Sequence, residues 1–355
     1  MESDSKPSEA QLLHDFVCFK VFADGHSSDT ESSRDDEGED IVFTAPSYFQ
    51  IRKDGRVERF RGNETIPPGT DDRTGVRSKD VVISPDNKVG ARLYIPKEAD
   101  FGEKLPLLVH FHGGGFCLFS AWHPWYYLYL SRLASQAKVV IVSVDYRLVP
   151  EHPLPAAYDD CWAAIKWAAA HSTGDGPEPW LNEFADYGNV FFAGESAGGN
   201  IAHQMALRAG TNPLPGIKLK GVIIDVPFFF GAESIGKESG LPETEREKGE
   251  KIWLKAIPDL KTLDHPWINP LADLEKMSKM GCKRVLVHVA EVDSLRDRGV
   301  AYYEALRGCG WSGRAELFES RGVGHAFQLF NPKCQQVEEL LKKYVEFINE
   351  GVRDA

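Results

Sequence analysis

From about Val81 onward, short and nearly continuous apolar runs alternate with longer stretches in which apolar side chains return every three to four positions. Runs of the first kind predict buried strands at Leu107 to Phe111, Val139 to Val144, Val190 to Ala193, Val222 to Val226 and Val285 to Ala290, with a last one near Glu316 to Phe318. Stretches of the second kind predict helices at Trp125 to Gln136, Ala156 to Ala170, Ala197 to Arg208, Asp297 to Leu306 and Gln335 to Asn349. Strict alternation of the two predicts an α/β fold, with a largely parallel sheet covered by helices on both faces. Ahead of it, Val81 to Ile83 and Ala91 to Ile95 read as an antiparallel hairpin at the sheet edge, and "FQIRKDGRVERF" reads as another hairpin turning at Asp54-Gly55.

Polar stretches set the domain limits. His26 to Asp40 has no apolar side chain and dense negative charge, so a disordered loop is expected within an amino-terminal cap or extension over residues 1–75. Residues 76–355 are expected to form the catalytic domain, with a cap helix inserted near 240–260. The short repeat of "FKVFADG" and "FQIRKDG" is too brief for a solenoid.

Charge and cysteine usage narrow the function. A net charge of −12 leaves no electrostatic footprint for nucleic acid or anionic membrane, so a small-molecule substrate is expected. The acidic, polar opening "MESDSKPSEAQ" and the lack of a long apolar stretch predict a cytoplasmic protein, with the nucleus as a further compartment. Six scattered cysteines and no histidine pair at ligand spacing predict free thiols and no metal. No phosphate-cradling or dinucleotide loop is present, so no cofactor is expected.

The candidate chemistry begins at "FFAGESAGGN", where Gly194-Glu195-Ser196-Ala197-Gly198 falls between a predicted strand and a predicted helix. Such a turn lifts the Ser196 hydroxyl to the carboxyl end of the sheet and aims the Ala197 amide at a developing oxyanion. Upstream, "HFHGGGFC" places three successive glycines after a buried strand, which frees backbone N–H groups to face a cavity. A serine hydroxyl needs a base, and acid then histidine are expected downstream: Asp293 follows a buried strand and His325 lies in the loop "GVGHAF". Asp293 is preferred over its neighbours Glu291 and Asp297. His112, His203 and His288 read as structural.

Long matches in register give these motifs a family. "HFHGGGFC", "VSVDYRLVPEHPLPAAYDDCWAAIKW", "GESAGGNIAH", "HPWINP" and "GHAFQLFNP" make the chain resemble plant carboxylesterases of the hormone-sensitive-lipase-like branch of the α/β-hydrolase fold. The resemblance implies a sheet of about eight strands, Ser196 as nucleophile, His325 as base and Asp293 as its orienting acid. It assigns the oxyanion hole to the amides of Gly114, Gly115 and Ala197, and a buttressing job to Tyr146, Arg147 and Glu151. The implied activity is hydrolysis of carboxylic esters of small, fairly apolar molecules through an acyl-enzyme, by a monomer or homodimer. Related proteins use this fold as acyltransferases, dehydratases, cyclases or gibberellin receptors. The dehydratases carry threonine at the nucleophile and the receptors an aliphatic residue at the base, whereas Ser196 and His325 stand here. Phe119, Trp122, Phe228, Phe229 and Trp253 are the candidates for lining the substrate pocket, with Ile252 beside Trp253 facing the site.

Overall fold

The computed structural model describes residues 40–102 and 104–353. The repeat ending at Gly25, Cys18 and the acidic stretch up to residue 39 lie outside the described residues. Residues 41–355 form one compact unit, so the segment 41–75 packs in the same body as the sheet.

Three strands open the described chain, β1 (Ile41–Ala45), β2 (Phe49–Arg52) and β3 (Val57–Arg59), forming a small antiparallel sheet in the order β1-β2-β3. The last two are the expected Asp-Gly hairpin. Next come β4 (Arg77–Ser84), β5 (Val89–Ile95) and β6 (Leu105–Phe111), then α1 (Pro124–Ala137), β7 (Val140–Asp145), α2 (Ala156–Ala169) and α3 (Pro179–Phe184). The chain continues through β8 (Ala185–Glu195), α4 (Ala197–Thr211), β9 (Leu219–Asp225), α5 (Glu243–Ala256) and α6 (Leu274–Met277). It closes with β10 (Arg284–Ala290), α7 (Arg296–Gly308), β11 (Arg314–Ser320), α8 (Phe327–Phe330) and α9 (Gln335–Arg353).

The main sheet has eight strands in the order β11-β10-β9-β8-β6-β7-β5-β4. Only β4 and β5 run antiparallel to their neighbours, which puts the expected hairpin at the edge. The order reverses direction between the β6-to-β7 and β7-to-β8 steps. Right-handed crossovers therefore carry α1 over one face and α2 and α4 over the other. The central strands are largely apolar because both faces are covered; every residue of β10 is buried.

This topology gathers the carboxyl ends of β6, β8, β10 and β11 along one rim. Across the sheet, Phe111 pairs with Gly194, Glu195 with Asp225 and Ala290 with Ser320. Residues just beyond those pairs face one another, and they include the glycine loop, Ser196, Asp293 and His325.

Candidate active site

Ser196 sits at the turn between β8 and α4 with φ 58 and ψ −118, a conformation that non-glycine residues adopt at a cost. Its backbone is pinned, since its N–H donates to the Asp225 carbonyl (2.9 Å) and its own carbonyl accepts from Phe228 N–H (2.8 Å). The flanking glycines answer to crowding. A Cβ on Gly198 would lie 1.9 Å from the Phe111 carbonyl oxygen, and one on Gly194 would lie 2.4 Å from the Gly198 backbone.

His325 follows β11 and reaches back across the rim. Its Nε2 lies 2.9 Å from Ser196 Oγ and its Nδ1 lies 2.7 Å from Asp293 Oδ2. Asp293 is 3% exposed, and its other oxygen accepts from Leu295 N–H at 2.9 Å. With a carboxylate at Nδ1, that nitrogen carries the proton, leaving Nε2 free to accept from the serine. Burial disfavours a charged His325, but the charge and hydrogen bond of Asp293, with Asp225 and Glu195 further off, outweigh it and hold its pKa above the ordinary 6.5. The two rival carboxylates are elsewhere: Glu291 caps Gly322 N–H, and Asp297 accepts from Lys237 N–H.

The glycine loop follows β6. Gly114 (φ 98) and Gly115 (φ 62) lie in the left-handed region, and a Cβ on Gly114 would lie 2.4 Å from the Leu118 carbonyl. Their N–H groups meet no acceptor among the described residues, and Ala197 N–H is at the open start of α4. Glu195 fastens the loop, a role that nothing in the spacing of the motif indicates. The buried carboxylate accepts from Gly113 N–H (2.6 Å) and from the Tyr126 hydroxyl, with His110 Nε2 at 3.1 Å. Tyr146 donates to the His112 carbonyl at 2.7 Å and stacks on its ring at 4.1 Å. Arg59 donates to Glu151, to the Cys117 carbonyl and to the Val149 carbonyl, while Arg147 clamps Asp160. The buttress thus extends to the amino-terminal hairpin.

The other histidines stay out of the chemistry. Burial pushes the His112 imidazole down to about 3, and its Nδ1 lies 2.8 Å from the Gly113 carbonyl. His203 contacts the Tyr302 hydroxyl at 3.0 Å. His288 repeats the acid–imidazole–hydroxyl order, with Asp225 at 2.5 Å and Ser320 at 2.9 Å, but all three are buried and line no described cavity near Ser196. That array is a structural brace between three strands.

A cavity with two lobes opens at Ser196. The larger, about 250 Å³, runs between Phe228, Phe230, Leu241, Gly249 and Leu295; the smaller, about 70 Å³, lies against Gly114, Phe119, Leu329 and Phe330. Tyr48, Gly115 and His325 border both. Of the five aromatics expected to line the pocket, Phe228 and Phe119 do so. The other three are corrected. Phe229 is packed in the core against Tyr302, because consecutive residues of an extended segment point opposite ways. Trp253 is fully buried behind Phe228, stacked at 5.0 Å, where the apolar side of α5 packs on Phe116 and Phe228. Trp122 borders a separate cavity, with the Arg92 guanidinium 5.3 Å from its ring. Ile252 does approach the site, 3.4 Å from where a Gly115 Cβ would stand.

Among the described residues no cluster of His, Cys, Asp and Glu could hold a metal ion, and no helix is long and apolar enough to cross a membrane. Cys117, Cys161 and Cys282 are buried free thiols; Cys309 and Cys334 are free and partly exposed.

Residues 108–329 match the family described as the alpha/beta hydrolase fold. The chain belongs to the α/β-hydrolase fold family. Within this family it is 42% identical over 311 residues to 2-hydroxyisoflavanone dehydratase of Glycyrrhiza echinata, covering 85% of this chain and 94% of the relative. It is 41% identical over 304 residues to probable carboxylesterase 2 of Arabidopsis thaliana, covering 85% and 95%. Among solved α/β-hydrolase structures, the hyperthermophilic esterase of the archaeon Pyrobaculum calidifontis superposes with a TM-score of 0.65 at 30% identity, covering 77% of this chain and 85% of that one.

Proposed function

We propose that this α/β-hydrolase is a serine carboxylesterase acting on esters of small molecules, with Ser196, His325 and Asp293 as its triad. One observation carries the reading: Ser196 Oγ, both ring nitrogens of His325 and Asp293 Oδ2 form a continuous chain at 2.9 and 2.7 Å, beside open N–H groups on the glycine loop.

The steps follow from that chain. Ser196 Oγ attacks the ester carbonyl carbon while His325 Nε2 takes the hydroxyl proton, and Asp293 stabilises the imidazolium. The carbonyl oxygen, now negative, lies against the N–H groups of Gly114, Gly115 and Ala197, each worth roughly 10²–10³ in rate. The carbon–oxygen bond to the alcohol breaks, and His325 returns the proton to the leaving alkoxide. Water repeats the sequence on the acyl-Ser196, with its proton passing through His325 to Ser196 Oγ as the acid departs.

Residues 41–75 and the helix α5 act as the cap in this reading, since Tyr48 from the amino-terminal segment and Arg246 and Gly249 from α5 border the large lobe. A cytoplasmic setting and a monomeric or dimeric state belong to the same proposal, and fractionation and light scattering test them.

Purified wild type, Ser196→Ala and His325→Ala are to be assayed on p-nitrophenyl esters of increasing acyl length. Turnover by the wild type well above both variants is expected. Equal rates for wild type and Ser196→Ala would remove the esterase reading. The likeness to a dehydratase supplies the competing reaction, so 2-hydroxyisoflavanone belongs in the same assay; its conversion without ester turnover would favour elimination in this cavity.

A further inference from the structure

The end of β3 and the bend that follows it place two cations, Arg59 and Arg61, toward the body of the protein. Val57, Arg59 and Arg61 point inward, and Phe60 between them is 51% exposed. A half-buried strand ordinarily does the reverse, with the aromatic inward and the charges in water. Arg59 has a reason for its position, since it is satisfied by Glu151, by the Cys117 carbonyl of the loop that follows the glycines and by the Val149 carbonyl after β7. Arg61 has no such partner among the described residues.

Arg61 borders the small lobe together with Gly114, Phe119, Ser196 and Leu329. Its Nε is buried with no hydrogen-bond acceptor, and its one recorded contact is the Tyr48 ring, 5.7 Å from the guanidinium carbon. The other arginine bordering the cavity, Arg246, is neutralised by Glu250. The carboxylate that shares the lobe, Glu195, is already engaged by Gly113, Tyr126 and His110. A half-buried guanidinium at the edge of a cavity, with one donor shielded from water and unpaired, is an arrangement that an anion in the cavity would complete.

We infer that Arg61 is a specificity residue that binds a carboxylate on the acyl half of the substrate, making half-esters of short dicarboxylic acids the preferred class. The inference rests on the serine-esterase reading. Size assigns the halves: about 70 Å³ beside the glycine loop accommodates a short acyl chain, and about 250 Å³ on the other side receives a bulkier alcohol. Carboxylate fits the fork of a guanidinium, with two parallel N–H···O bonds. A neutral acyl chain would leave the Nε donor unmatched.

The test compares kcat/KM for monobenzyl succinate with that for benzyl butyrate, its neutral counterpart, in wild type, Arg61→Gln, Arg61→Lys and Ser196→Ala. Wild type is expected to prefer the hemisuccinate. In Arg61→Gln the hemisuccinate-to-butyrate ratio should fall by about 10- to 100-fold, the range of a charge-assisted hydrogen bond, mainly through KM. Arg61→Lys should restore part of it. A ratio unchanged in Arg61→Gln, or a wild type that prefers the butyrate, overturns the inference. An Arg61-dependent preference for 4-acetoxybenzoate, whose carboxylate is on the alcohol half, would overturn the assignment of lobes. Should the variants not fold, the wild type alone decides: succinate must inhibit competitively and succinamide must not. If wild type exceeds Ser196→Ala on none of the esters, it is the esterase reading that fails.

Discussion

Removing the Glu195 carboxylate tests whether the glycine loop is held in place from beneath. Glu195 accepts from the Gly113 amide at 2.6 Å and from the Tyr126 hydroxyl in a site closed to water. In Glu195→Ala the Tyr126 hydroxyl loses its acceptor and the Gly113 amide keeps only the Tyr126 oxygen at 2.9 Å, so about 1–3 kcal/mol of stability is at risk for the buried hydroxyl, with a smaller loss at the amide. Glu195→Gln keeps an oxygen in place and exchanges charged acceptors for neutral ones, a difference of about 1 kcal/mol per bond. Loosening Gly113 also displaces the amides of Gly114 and Gly115. Loss of one positioned donor costs roughly 10²–10³ in kcat, so Glu195→Ala should fall by that factor while KM stays within a few-fold; Glu195→Gln should fall less. Steady-state kinetics on p-nitrophenyl butyrate, corrected for the active fraction, measures the first quantity, and urea denaturation the second. A folded Glu195→Ala with wild-type kcat would refute the link between this carboxylate and the oxyanion loop.

Four further outcomes are expected. Because His325 must be neutral to accept the serine proton, kcat/KM should be full above its raised pKa and fall as pH drops through it, on a limb set above 6.5. Asp293→Asn removes the main charge raising that pKa, so a pH–rate profile should show the limb moved to lower pH and kcat reduced on the order of 10⁴-fold. In Gly198→Ala the new methyl would stand 1.9 Å from a backbone oxygen, so soluble yield and thermal midpoint should drop sharply. Phe119 borders both the small lobe and a second cavity of about 450 Å³; Phe119→Ala should join them and move the best acyl length upward, and an unchanged length profile would count against it.

The parts of this fold most legible in the sequence are those that obey one rule at a time. Buried parallel strands read as apolar runs because both faces are covered, and the turn at Ser196 read correctly because only glycine tolerates the approach of Phe111 and Gly198. Asp293 and His325 followed from chain order and strand ends. Elements that depend on tertiary packing were hidden. β1 alternates weakly and forms only against β2, and β8 begins at Ala185 through "DYGN", a stretch that reads as a turn until Leu105 and Pro106 pair with it. Trp253 and Phe229 look like pocket walls by proximity to the motifs, yet their contacts with Phe228 and Tyr302 make them core. Glu195 is the opposite case: a charged residue whose inward direction is set by the strand phase and by partners far along the chain.

The covalent step is the most direct test of the chemistry assigned to Ser196. Wild-type protein mixed with p-nitrophenyl butyrate is quenched in acid within the first turnovers, digested, and its peptides weighed by mass spectrometry. Covalent catalysis predicts the mass of a butyryl group on the peptide carrying Ser196, absent in Ser196→Ala. Ester turnover with Ser196 unmodified throughout, or a butyryl group on another residue, would contradict it.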